Sequence, residues 1–243
     1  MFERQRAVMT AAGVGYLLSG FLVSLSAGSA YSVSQKDPYR LTRDWDQWLT
    51  QRSQHIGVGV LAGLLLFTVL LAGLLVFLAV AARAQRLHPT SATLGGILLT
   101  AAMLSLGAVA VWIGVIAPYA ALQYQWAPDP ATRQALLVEA RFGEHLVRLG
   151  LWCFLGFAAL GLYFLGRALR GERGWLPSVL KLAAALILLH LPVQLYLARE
   201  SLLNDHYVGW LAVLDQFLLW GSLALACYFC ARWLRTVGRT LPP

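Results

Sequence analysis

Few residues in this 243-residue chain have the type and spacing to do chemistry, and most of them are histidines. Three sit directly behind a polar residue at the start of an apolar run: Gln54-His55, Glu144-His145 and Asp205-His206. Imidazoles brought from several helices to one level suit a transition metal. Glu144 and Asp205 would then serve as further ligands, or as acceptors that fix the ring tautomer. A helix N-terminus disfavours imidazolium, which keeps such rings neutral and able to ligate. Haem b is the other group that paired imidazoles hold, but its two axial ligands must share a level. No H-x-x-x-H, H-E-x-x-H or C-x-x-C-H stands anywhere in the chain, so no dedicated metal motif adds to the pattern.

A second group lies inside apolar runs, where an ionisable side chain is costly and marks a functional candidate. Arg148 falls one turn into a run, and Lys181 lies where its stem can reach back to the membrane surface. His190 and Asp215 each fall roughly 10–12 Å below the same surface by helical rise. A short connection joins their runs, so a His190–Asp215 pair is geometrically reasonable. Gln194 shares the face of His190 and Gln216 adjoins Asp215, while Pro192 loosens the helix beside His190. Such a set suits proton transfer or the hydrogen bonding of a quinol head group. The plainer readings are interfacial imidazoles and a His190–Asp215 bond that only cements two helices.

The elements that must position these residues follow from composition. Hydrophobic residues make up 59% of the chain and charged ones 12%, about half the charge of a soluble domain. The reading is a single all-α integral membrane domain, a polytopic helix bundle over residues 1–243. Six apolar runs are long enough to cross a bilayer: about 7–30, 56–82, 92–117, 146–166, 177–197 and 208–230. The first ends in small residues as a signal peptide does, but its apolar core exceeds the usual length of roughly 7–15 residues. A barrel would need short alternating strands, and none appear.

Charge then orients the bundle. The ends 1–6, 83–91, 167–176 and 231–243 hold ten arginines against Glu3 and Glu172, whereas 31–55, 118–145 and 198–207 hold seven Lys/Arg against eight Asp/Glu. Short basic loops stay in the cytoplasm. Both termini are therefore expected in the cytoplasm of a bacterial-type cell, with two long loops outside. His55, His145, His190 and His206 then lie on the outer half, and His88 alone on the inner. The net charge of +8 is an orientation signal, and no nucleic-acid partner is needed to account for it.

Each outer loop carries a helix start, Asp37-Pro38 and Asp129-Pro130, with Asp as N-cap and Pro in the first turn. Amphipathic helices are expected after both, through Leu41, Trp45, Trp48 and Leu49 in the first, and Leu136, Leu137, Ala140 and Phe142 in the second. Gly59 and Gly63, the series Gly156, Gly161 and Gly166, and Gly221-Ser222 allow close helix approach. Cys227 and Cys230 share a helix face and read as small apolar filler.

Three functions fit these residues. The first is a redox-linked subunit or enzyme with a metal, haem or quinol near the outer face. The second is a small-solute or proton-coupled transporter using His190, Asp215 and Arg148. The third is a structural or assembly subunit of a larger membrane complex, or a homo-oligomer, in which the polar residues are cement.

Overall fold

The computed structural model describes Ala7 and residues 45–171, 174–204 and 209–240, and every regular element among them is helical. The expected first span and the helix start at Asp37-Pro38 lie outside the described residues. The helices are α1 (Trp45–Gln54), α2 (Ile56–Ala84), α3 (Pro89–Val111), a π-helical segment (Trp112–Ile116), α4 (Ala117–Trp126), α5 (Pro130–Ala168), α6 (Leu176–Asn204) and α7 (Gly209–Thr240). Four stretches are long and apolar enough to cross a membrane: Ile56–Ala84, Pro89–Trp126, Pro130–Ala168 and Leu176–Val193. A shorter apolar stretch, Leu218–Leu234, lies on α7.

The segment 118–145, expected as a long loop, is helix on both sides of a turn at 127–129. At 38 residues, Pro89–Trp126 extends about 57 Å, far beyond the roughly 30 Å of hydrocarbon. The amphipathic helix expected after Pro130 is present, but it runs without a break into the fourth span as α5. The reason is local. Leu137 and Ala140 find apolar partners in Leu49 of α1 and Ala121 of α4, and Leu136 beside them is buried, so no residue there favours leaving the helix. Phe142 remains exposed.

The long helices pack in chain order: α2 on α3, α3 on α5, α5 on α6 and α6 on α7, with α7 returning to touch α2. On α2 the buried positions include Gly59, Ala62, Gly63, Leu66, Leu70, Gly73, Phe77, Val80 and Ala84, an i, i+3, i+4, i+7 stripe. Leu61, Leu64, Phe67, Leu71 and Leu75 are the exposed remainder. Lipid is as apolar as these side chains, so the stripe is set by fit.

Fit is tightest at glycines. Gly63 and Gly114 meet backbone to backbone: a Cβ on Gly114 would lie 2.8 Å from the Gly63 Cα. The α3–α5 interface closes on Gly95 and Gly161, where a Cβ on Gly161 would lie 2.7 Å from Leu99 Cγ and 3.0 Å from the Leu99 nitrogen. Gly143 receives the Trp112 indole ring, and Gly166 lies against the start of α6. Gly156 and Gly221 have nothing within 4 Å of a Cβ.

The glycines therefore divide into two testable classes. Gly63→Ala and Gly161→Ala force a clash and should each cost on the order of 1–3 kcal/mol, read as a fall in thermal midpoint in detergent. Gly156→Ala places its methyl in open space and should be neutral or slightly stabilising, since Ala is favoured over Gly in a helix by roughly 0.5–1 kcal/mol.

Candidate functional site

Helices α1, α2, α3 and α5 converge on the π-helical segment. In a π turn each N–H reaches back five residues, and the Ala117 N–H takes the Trp112 carbonyl in this way. The next donor in that register is Pro118, which has no N–H. The Ile113 carbonyl thereby loses its helical partner. The Arg52 guanidinium, from α1, donates to it through Nη2 at 3.1 Å. Gly59 makes room for this bond: a Cβ there would lie 3.4 Å from both Arg52 Nη2 and the Ile113 oxygen. The same segment aims Trp112 onto Gly143 and sets Gly114 against Gly63. One irregular turn thus joins α1, α2 and α5.

The turn that follows is pinned by its cap. The Asp129 carboxylate accepts from the Thr132 N–H at 2.9 Å and from the Thr132 hydroxyl at 2.8 Å. These bonds hold the Asp129 carboxyl below its ordinary range.

Deeper in the bundle the structure buries His190 completely. It extends the α6 stripe formed by Leu180, Ala183, Ala184 and Ile187, all enclosed in the apolar core. The helix continues through Pro192, which is exposed. Its missing N–H leaves the Leu188 carbonyl without an i+4 donor. α7, the helix that carries Asp215 and Gln216, packs on α6, so the neighbour relation that a His190–Asp215 pair requires is present. The side chains of Glu144, Arg148, Gln194, Asp215 and Gln216, and the whole of Asp205 and His206, lie outside the described residues.

His55 and His145 are exposed, at the start of α2 and along α5. Among the described residues no three His, Cys, Asp or Glu side chains come together as a metal site. A haem held between His145 and His190 does not fit, because one ring faces outward and the other is enclosed. Cys227 and Cys230 are buried free thiols in the main core, as expected of filler.

Other polar groups within the spans are used locally. The hydroxyls of Thr68, Thr100 and Ser105 donate to the carbonyls of Leu64, Gly96 and Ala101 at 2.9 Å, and Ser222 donates to that of Leu218. The residues not anticipated from sequence are Arg52, Trp112, Ile113 and Pro118. Their one linear signal is the run Trp112-Ile-Gly-Val-Ile-Ala-Pro118, in which a proline interrupts an otherwise helical pattern.

Comparison with family models, with curated proteins and with solved structures finds no match.

Two outcomes follow from this geometry. Arg52→Ala should destabilise the protein by about 1.5–3 kcal/mol, the usual range for a hydrogen bond to a charged group. In a Pro118→Ala background the restored N–H can serve Ile113, and the cost of Arg52→Ala should fall to less than half. An equal cost in both backgrounds would refute the orphaned-carbonyl account. For Asp129 the folded carboxyl is the stronger acid. Its contribution is therefore complete above the ordinary aspartate range and is lost as pH falls through that range and below. Asp129→Asn should flatten this part of the acid limb in a thermal-stability profile.

Proposed function

We propose that this chain is a redox-linked subunit or enzyme of a bacterial-type cytoplasmic membrane, working on a quinol-type head group near the outer face. One observation carries the reading. His190 is a titratable ring, fully enclosed on the core-facing stripe of a membrane helix, in a bundle whose other described buried side chains are almost all apolar. A quinol asks for little more than a hydrogen-bonding group in apolar surroundings, and His190 supplies one. Its imidazole would accept the hydroxyl proton of the head group. Asp215, Gln194, Gln216 and Arg148 would orient the ring or move the proton onward. The electrons would leave to a redox group on an adjoining subunit.

The same reading includes six spans, with both termini in the cytoplasm. Arg83, Arg86, Arg167, Arg170 and Arg232 support the orientation, because the alternation of helices gathers them at one end of the bundle. A metal held by His55, His145, His206, Glu144 and Asp205 belongs to this proposal only if His206 and Asp205 approach the other two histidines. The exposed positions of His55 and His145 give it no support.

A short-chain quinol analogue titrated into the purified full chain tests the reading. Binding should occur with the wild type and weaken at least about tenfold in His190→Ala, on the scale of a lost buried hydrogen bond. Visible spectroscopy and metal analysis accompany the titration. Folded protein that is colourless, metal-free and indifferent to quinol would overturn it. Proton flux in proteoliposomes that Asp215→Asn abolishes would favour the transporter instead.

A further inference from the structure

We infer that the junction of α5 and α6 is a binding site for the headgroup of an acidic phospholipid. At this junction α5 ends at Ala168 and α6 begins at Leu176. Arg167 and Arg170 are exposed on the last turn of α5 and just beyond it. Lys181 comes to the same place from α6. Its stem lies over Gly166, where a Cβ would sit 3.2 Å from Lys181 Cγ and 2.9 Å from the Pro177 oxygen. Gly166 therefore keeps a channel along α5 that the lysine stem fills, one position before Arg167. A lysine inside a span carries its ammonium toward the nearer surface, which here is the surface that holds the two arginines.

The connector adds an anchor. Gly174 has φ 144°, a conformation that favours glycine, and it turns the chain into α6. Beside it Trp175 is 80% exposed, the most exposed of the described large apolar side chains. An indole at the level of the headgroups is the usual membrane-interface arrangement. Among the described residues this end of the bundle carries no aspartate or glutamate, and Arg86 and Arg232 add further exposed charge to it.

A favourable interaction with the helix C-terminus accounts for Arg167 alone. It does not account for a lysine threaded past a glycine from the next helix, or for an exposed tryptophan beside it. Three cations and an interfacial indole, set against the single carboxylate of Glu172, which lies outside the described residues, fit a phosphate ester whose acyl chains run down the exposed leucines of α5 and α6. A basic pocket between membrane helices is a recurrent acidic-lipid site.

The test follows thermal unfolding of the purified full chain in detergent as phosphatidylglycerol or cardiolipin is added, with phosphatidylcholine and inorganic phosphate as controls. The acidic lipids should raise the midpoint saturably, and phosphatidylcholine and inorganic phosphate should not. In Arg167→Gln/Arg170→Gln/Lys181→Gln the lipid concentration at half effect should rise at least about tenfold, given three lost surface charges. Arg133→Gln/Arg141→Gln, on the exposed face of α5 at the other end, should behave as wild type. If the triple variant does not fold, salt decides on the wild type: the lipid effect should fall steeply by about 0.5 M, where screening is short-ranged. Equal stabilisation by phosphatidylcholine or phosphate, a triple variant within twofold of wild type, or an effect insensitive to salt would each overturn the assignment.

Discussion

The bond from Arg52 to the Ile113 carbonyl is the interaction on which the α1 end of the molecule depends. A backbone carbonyl near the hydrocarbon has no water to turn to, so an unsatisfied one costs several kcal/mol. The π-helical register and Pro118 together create such a carbonyl, and a long cationic side chain from another element reaches it. Arg52 sits on α1, so satisfying Ile113 also brings α1 over the ends of α2 and α3. Leu49 then meets Ala121, Leu137 and Ala140, and a second small core forms outside the main one. The irregular turn, the docked helix and the long α4–α5 hairpin are therefore one feature.

The main bundle depends on shape more than on polarity. Gly63 against Gly114 and Gly95 against Gly161 let backbones touch, which increases the dispersion contact that replaces the hydrophobic effect in lipid. These two crossings set the run Pro89–Trp126 against two different helices. That run is thereby held by α2 at Gly114, toward Trp126, and by α5 at Gly95, toward Pro89. The π turn falls between Val111 and Ala117, at the first of these crossings. A local change of helical register there re-aims Trp112 toward α5 without disturbing the packing of Leu99, Ala102 and Leu106 below.

What could be read from sequence and what could not divide along the same physical line. Apolar run length fixes where helices exist, because the bilayer sets their minimum extent; the second to fifth runs lie within observed helices, and the described part of the sixth lies on α7. The cap at Asp129-Pro130 was legible because it is made of neighbours in the chain, as the Thr132 bonds show. Helix ends inside lipid-like sequence were not legible: Leu176–Asn204 and Pro130–Ala168 both outrun their apolar cores, since nothing polar forces a stop. The Arg52–Ile113 bond was invisible because its partners are 61 positions apart and one of them is a carbonyl, which carries no residue identity. Of the candidate site residues, His190 stood out by type alone. The structure adds that it points into the core, a fact that hydrophobic periodicity could not supply where the exposed Leu188 and Leu189 just before it are as apolar as the buried Ile187.

That orientation gives His190 its weight. Thr68, Thr100, Ser105 and Ser222 cost the bundle little, because a hydroxyl in a helix donates to the carbonyl one turn back and disappears from the electrostatic problem. Arg52 is matched to a carbonyl that the fold itself orphans. An imidazole is large, polar at two atoms and able to change charge, and a hydrophobe of similar size would pack the α6 stripe without the cost of burying it. Burial on a face that otherwise reads Leu180, Ala183, Ala184 and Ile187 is therefore a departure from the packing logic of the rest of the bundle. Departures of this kind concentrate where a membrane protein handles protons or polar ligands.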